Sequence, residues 1–187
     1  MAVDAFMWFN GVHGDVSSIA GETTDAYIEA NCSSVGTVKK PFNVKEYSFD
    51  VENLSTLSST SGGAGGGKAN FNPVSVTKEV DIASTPLFQC AAIGTHIDEC
   101  YLVMRKAGGN VKTLKPYLTF VFKFVFITGV NWSISGDEPI AESITFMYGA
   151  LKIQYWKQKN DGSLISPPFP AMWNRVNNSR TDTITFE

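Results

Sequence analysis

A glycine-rich stretch that ends in lysine is the first pattern in the chain that could bind a ligand. The sequence reads GGAGGGK from Gly62 to Lys68, which superficially fits a phosphate-binding loop. Such a loop needs a Ser or Thr after the lysine to coordinate Mg²⁺, but the next residue is Ala69. Residues 70–73 end in proline and cannot begin a helix, so no helix N-terminus would face a phosphate. The pattern therefore argues against nucleotide binding.

Metal-binding side chains also lie close together in sequence, at Cys90, His96, Asp98 and Cys100. Their spacing matches no paired zinc motif, and Cys90 has apolar neighbours. The chain contains three cysteines, with Cys32 the third, and an odd number argues against a disulfide framework. The sequence predicts no metal site, no cofactor, and reduced cysteines that are partly buried.

Catalysis by a nucleophile or an acid pair has equally little support. The only histidines are His13 and His96, and His13 lies in a glycine-flanked turn. No G-x-S-x-G nucleophile motif occurs. The acidic pairs Asp98-Glu99 and Asp137-Glu138 are adjacent in sequence and are typical of solvated edges, not of carboxylates that face each other across a substrate. We predict that the protein is not an enzyme and has no catalytic residues.

The composition restricts the partners of the chain. It has 187 residues, which fits a single domain, and a formal net charge of −3. Only 18% of the residues are charged, against about 25% in typical globular domains. Nucleic-acid binding needs clustered basic residues and is excluded on this basis. The low charge predicts a surface that is either neutral and polar or covered by partners.

The N-terminus and the longest apolar stretch bear on localisation. No basic region precedes the first apolar residues, and Asp4 lies where a signal peptide would carry a basic residue. The apolar stretch Leu118–Val130 is too short to span a membrane and contains Lys123. We expect a cytoplasmic protein with no membrane insertion, which, if exported, is secreted without a cleaved signal peptide.

Strand patterns dominate the sequence. Tyr117–Val130 alternates so that even positions form one apolar face and odd positions, including Val121, Lys123 and Val125, form the other. Because both faces are largely apolar, we expect one to pack in the core and the other to be covered. In Ser143–Gln158 the alternation slips at Gly149-Ala150, which predicts a β-bulge. Shorter strands are predicted at Val3–Asn10, Ala26–Ala30, Val44–Val51, Val74–Val80 and Glu99–Lys106.

One helix is predicted, at about Pro86–Ile93. Ser84-Thr85 would cap it, Pro86 would occupy the first helical position, and Gly94 would end it. Its residues Leu87, Cys90 and Ala91 fall on one side, which suits packing against a sheet. The whole chain, 1–187, is predicted to form a single domain. This domain has a flexible glycine-rich loop at 58–68 and an irregular tail at 166–187.

Several segments of the sequence, taken together and in their order along the chain, resemble those of a known protein family. They are Met1–Asp4, Val74–Asp81 after the glycine-rich loop, Ser84–Leu87, Met104–Gly109, Glu142–Gly162 and Trp173-Asn174. In this order they resemble the haemolysin-coregulated protein (Hcp) family, the tube subunits of type VI secretion systems. The resemblance covers most of 70–177 and is weaker before residue 57. The chain is longer than the usual member within 14–44, with Cys32–Pro41 the expected insertion, and its tail after residue 178 is extended.

The resemblance implies a mainly β fold, with two antiparallel sheets closed into a small barrel and one short flanking α-helix. It also implies homohexameric rings that stack into an injected inner tube, with a spike protein, a contractile sheath and secreted effectors as partners. On this basis Val121, Lys123 and Val125 are expected at a subunit interface or on the lumen wall. The glycine-rich loop is expected to contact the next ring through Ser61, Gly62, Gly63, Gly65, Gly66 and Gly67.

Two alternatives remain open from the sequence alone. A tail-tube protein of a phage, or of a related contractile injection particle, would share the architecture. A monomeric β module that binds effectors would share the composition. The first differs in its genomic neighbours and the second in its mass in solution.

Overall fold

Strands make up most of the regular structure in the computed structural model, which describes residues 3–25, 27–53, 69–106, 114–159 and 163–184. Two short helices, α1 (Ile28–Cys32) and α2 (Ser84–Ile93), accompany them. The strands are β1 (Val3–Val12), β2 (Phe42–Val44), β3 (Glu46–Ser48), β4 (Val51–Asn53), β5 (Ala69–Phe71), β6 (Val74–Glu79), β7 (His96–Lys106), β8 (Leu118–Ser133), β9 (Ala141–Tyr155) and β10 (Phe169–Asn174).

The main sheet closes on itself through the continuous segment 42–48. Its strand order is β2-β1-β7-β8-β9-β6-β3, all antiparallel, and β10 also pairs with β9. Only Lys45 separates β2 from β3, and its backbone N–H donates to the carbonyl of Thr77 at 2.8 Å. The two ends of the sheet therefore meet in one segment, which protects edges that would otherwise invite pairing with other chains. The predicted mainly β barrel is confirmed, with its strands in one continuous sheet beside the small β4-β5 pair.

In four neighbouring strands the alternation of buried side chains reverses, so that the opposite face of each strand turns toward the core. The reversals lie at the same level of the sheet. The residues on either side of the switch are Phe9 and Val12 in β1, Cys100 and Ile97 in β7, Phe122 and Val125 in β8, and Leu151 and Tyr148 in β9. Within this band Gly11 has a φ of 70° and Phe124 a φ of 54°. Such left-handed residues re-aim a strand and so turn the opposite face inward.

Two predictions for these strands need correction. The alternation predicted over the whole of 117–130 holds only as far as Phe122, because Phe124 reverses it. The slip predicted at Gly149-Ala150 is present, but it is not a bulge: Ala150 pairs with Lys123 and Tyr148 with Val125 in one unbroken register. The register shift between β8 and β9 lies instead between Ile127 and Gly129.

A helix covers the other face of the sheet where a strand was predicted. Residues 26–30 were expected to form a strand, but α1 begins at Ile28, and Ile28 and Cys32 lie one turn apart on its buried side. They pack on strand residues that face away from the main core. The members of this second cluster are Phe6, Trp8, Tyr101, Val103 and Val121 from the sheet and Ile28 and Cys32 from α1, with Val35 and Val38 against it.

Polar contacts hold this covering segment in place. The guanidinium of Arg105, which is buried, pairs with Asp25 before α1 and with Asp4 of β1, the latter at 3.3 Å. The same guanidinium lies 4.9 Å from the centre of the Phe6 ring. After α1, the backbone carbonyl of Thr37 accepts a hydrogen bond from the Trp8 indole at 3.0 Å. The segment that covers this face of the sheet thus lies within 14–44. That 14–44 contains an insertion stays a prediction.

Candidate functional site

The outward side of α2 is unusual because the helix contains no charged residue. Leu87 and Cys90 are buried against the barrel, and Ala91 packs on the core, as predicted. The exposed side repeats at helical spacing and consists of Thr85, Phe88, Gln89, Ala92 and Ile93. A surface helix normally presents charged or strongly polar residues to water on this side. The composition of α2 therefore suits contact with another protein surface.

Exposed apolar side chains continue from α2 onto the end of the barrel. We call this set the α2 surface, and its members are Val80, Ile82, Phe88, Ile93, Trp132, Ile134 and Ile140. The rings of Phe88 and Trp132 lie 6.0 Å apart, and the N–H of Val80 donates to the carbonyl of Ile140 at 3.0 Å. Ile134 is 69% exposed, the largest value in the set. A group of large exposed apolar side chains of this kind is typical of an interaction site.

A buried ion network lies directly beneath the α2 surface. The Nζ atom of Lys78 lies 2.8 Å from Oε2 of Glu142 and 2.5 Å from Oδ1 of Asp81. Lys78 and Glu142 are both fully buried and face each other across β6 and β9. Ser84 at the start of α2 donates its hydroxyl to Glu142 at 2.7 Å. Buried charges are tolerated only when paired and hydrogen-bonded in this way.

The network fixes both elements that carry the α2 surface. The second oxygen of Glu142 accepts a hydrogen bond from the Trp132 indole at 2.8 Å, which orients the ring toward Phe88. The carboxylate of Asp81 accepts the N–H of Ala83 at 2.9 Å, just before the helix. A substitution in the network would therefore displace the surface above it.

The predicted cap of α2 needs correction. The helix begins at Ser84 with Ala83 as its N-cap, so Pro86 occupies the third helical position, where no intrahelical donor is lost. The Ser84 hydroxyl faces the ion network and does not cap the helix. Gly94, with a φ of 73°, ends the helix as predicted, and its N–H donates to Cys90 at 3.0 Å.

Three of the segments that carried the family resemblance converge on this network. Lys78 and Asp81 come from the segment before α2, Ser84 from the helix start, and Glu142 from the beginning of β9. In the sequence they stand as separate motifs, and local patterns do not predict their contact, because it depends on the pairing of β6 with β9. The absence of charged residues from α2, in contrast, is a signal that the sequence itself contains.

The predicted interface residues of β8 do not share one face. Val125 is fully buried in the main core, whereas Val121 is buried on the opposite side under α1. Lys123 is partly buried, and its Nζ lies 3.6 Å from Asp182 and 4.0 Å from Glu99. The premise of a single exposed face is therefore wrong, since this chain covers Val121 with its own α1 segment. A contact of Lys123 with another subunit stays a prediction.

The predicted ring-stacking loop and Lys68 lie outside the described residues, whereas most of the predicted C-terminal tail is described. The ring-stacking loop, Ser61 to Gly67, falls in the gap between residues 53 and 69, as does the pseudo-phosphate-binding lysine. The irregular tail from 166 to 187 is described as far as residue 184, and its beginning forms β10, which pairs with β9. The tail is thus more regular than its proline content indicates.

The cysteines are held as neutral thiols, and we expect them to resist alkylation in the folded chain. Burial raises the pKa of Cys32 to about 12 and that of Cys90 to about 11, and it raises the pKa of Cys100 well above 9.0. The thiolate is the reactive species, so little of it is present at neutral pH. Mass spectrometry after iodoacetamide treatment should show an unmodified native chain and three adducts in urea. A stoichiometric adduct on the native chain would contradict this arrangement.

Comparisons with known proteins agree with the fold. The family described as "Type VI secretion system effector, Hcp" matches residues 6–155. "Protein hcp1" of Pseudomonas aeruginosa is 31% identical over 108 residues, which is 57% of this chain and 65% of that protein. The match therefore spans slightly less than two thirds of this curated relative.

Solved structures place the barrel in the same group. A structure described as that of a type six secretion system protein aligns with a TM-score of 0.77 and 22% identity, covering 96% of this chain and all of the other. Hcp1 from Salmonella typhimurium aligns with a TM-score of 0.67 and 24% identity, covering 97% and 100%.

The closed antiparallel barrel with α2 at its side is thus the fold of type VI secretion system Hcp structures. Since the family match extends over most of the sequence, the chain belongs to the Hcp family. This family is a structural and secreted component of the type VI secretion system. In the part of the chain that the structure describes, no helix is long and apolar enough to cross a membrane.

Proposed function

We propose that this chain is a tube subunit that associates with copies of itself through the α2 surface. The observation that supports this proposal is the apolar side of α2, which is exposed in the single chain. Trp132, whose ring contacts Phe88, and Ile134 are exposed as well. Each copy would bury this surface against a different patch of the next subunit. Head-to-tail contacts of this kind close into a ring when the repeated rotation completes a full turn.

The finer parts of the proposal come from the family. The rings contain six subunits and stack into an inner tube, which is injected by a contractile sheath with a spike protein at its tip and carries effectors in its lumen. The chain acts mechanically and sterically, not as an enzyme. It is held in the cytoplasm before firing and then leaves the cell through the secretion machine. The low charge of the sequence supports this proposal, because neutral surfaces are readily buried between subunits.

Negative-stain electron microscopy together with sedimentation of the purified protein tests the proposal. Closed rings of uniform diameter and a mass of six chains are expected. A species that stays at the mass of one 20.4 kDa chain over a wide concentration range would contradict it and would favour a monomeric β module.

A further inference from the structure

Both histidines of the protein meet at one carboxylate. The rings of His13 and His96 are stacked, with centres 4.2 Å apart and planes inclined by 20°. Nε2 of His13 lies 2.7 Å from Oδ1 of Asp98. One ligand atom from each of these three side chains lies within 4.8 Å of the other two.

The fold holds these three side chains at the junction of β1 and β7. His96 and Asp98 are two positions apart in β7 and so project from the same face of the strand. The pairs Asn10–Glu99 and Val12–Ile97 set the register, and the backbone N–H of His13 continues it to the carbonyl of His96 at 3.4 Å. The cluster therefore depends on strand pairing that no sequence motif reveals.

Local contacts bring the three groups close together. A side chain at residue 11 would place its Cβ 2.1 Å from an oxygen of Asp98, so the carboxylate occupies space that only Gly11 leaves open. The Thr95 hydroxyl donates to the carbonyl of His13 at 2.8 Å. The His96 ring also packs against Phe124, with ring centres 5.1 Å apart. The donors are thus brought together by the backbone and by packing.

We propose that His13, His96 and Asp98 form a binding site for a divalent transition-metal ion of the Zn²⁺ type. Two imidazole nitrogens and one carboxylate oxygen are a donor set that zinc commonly uses, with water completing the coordination. Zinc binds such atoms at about 2.0–2.2 Å, so two of its ligand atoms lie roughly 3 to 3.5 Å apart. His13 and Asp98 have side chains that are 48% and 55% exposed, and they can rotate by the small amount needed to bind one ion.

The charges around the cluster favour a cation. Lys123 on the adjacent strand β8 pairs with Glu99 and Asp182, whereas the ion-pair partner of Asp98 is His13. The three side chains of the cluster include a carboxylate but no lysine or arginine, so they supply no permanent positive charge. A bound divalent ion would supply that charge and would fasten the loop after β1 to the start of β7. None of the three residues belongs to the α2 surface, and the test of this site does not use ring assembly as its readout.

Calorimetric titration with Zn²⁺ tests this site on the full chain. Wild-type protein is expected to bind one ion per chain, and the melting temperature should rise when the ion is present. His96→Gln and Asp98→Asn should each weaken binding by at least about tenfold, since even residues that merely support a metal ligand have effects of that size. The matched control is Asp137→Asn, which removes an exposed carboxylate elsewhere and should bind Zn²⁺ as the wild type does.

Titration with Co²⁺ separates this site from the three cysteines. Nitrogen and oxygen ligands give only weak visible bands, whereas a cysteine ligand adds an intense charge-transfer band. Saturable binding that is lost in both variants, without that intense band, would establish the site. Absence of saturable binding, equal affinity in His96→Gln, or a cysteine-type spectrum would overturn it. Circular dichroism of the variants checks that a loss of binding is not a loss of fold.

Discussion

A Phe88→Asp variant is expected to fold as the wild type does and to lose ring assembly. Phe88 is 54% exposed and its ring contacts Trp132, so its loss removes little buried area from the single chain. In a subunit interface, however, the aspartate would be an unpaired charge deprived of water. Truncating or blocking a central interface residue costs about 2 kcal/mol or more, and each 1.4 kcal/mol is tenfold in affinity. We therefore expect at least about a thirtyfold weaker association per contact.

Sedimentation velocity at several concentrations measures this loss, and two variants control for it. Phe88→Leu keeps an apolar side chain and should still form rings. Phe169→Asp places the same charge at an exposed phenylalanine of β10, outside the α2 surface, and should leave assembly intact. Rings of normal mass from Phe88→Asp would show that α2 does not lie in the interface. Loss of assembly in Phe169→Asp alone would move the interface to β10.

Alternation of side chains predicted most of the barrel, and it failed where the backbone breaks the alternation. β1, β6, β8 and β9 lie close to their predicted positions because long runs of branched and aromatic residues define them. The reversal of β8 at Phe124 could not be predicted, since residues other than glycine rarely adopt a positive φ. That reversal sends Val125 into the main core, whereas Val121, which precedes it, stays on the opposite face under α1.

The short helix α1, the ion network and the histidine cluster could not be predicted from the sequence for a different reason. α1 is five residues long, too short for a helical period to be recognised, and its stability comes from the tertiary contacts of Ile28 and Cys32. The ion network and the histidine cluster each join strands that are distant in sequence. Their side chains are visible in the sequence, but their juxtaposition is set by the register of β6 with β9 and of β1 with β7. Local patterns carry no information on that register.

Lys78→Met is expected to be among the most destabilising single substitutions in the described part of the chain. Methionine keeps most of the volume of the lysine stem but removes the cation that Glu142 and Asp81 share. Glu142 is fully buried, so its charge would lack both water and an ionic partner. Breaking a buried ion pair in this way costs about 3–5 kcal/mol. Urea unfolding should show this loss as a lower midpoint with an unchanged slope.

The chain contains a matched pair that isolates the effect of burial. Lys45 and Glu79 also lie 2.8 Å apart, but their side chains are 49% and 53% exposed. Lys45→Met should therefore change the free energy of unfolding by no more than about 1 kcal/mol. Adding Glu142→Gln to Lys78→Met should restore part of the stability, because it removes the unpaired charge and leaves an oxygen to accept the Trp132 indole. Equal costs for Lys78→Met and Lys45→Met would mean that the buried network contributes no more than an exposed salt bridge. A larger loss in the double variant would show that the hydrogen bonds of Glu142, and not its charge, dominate.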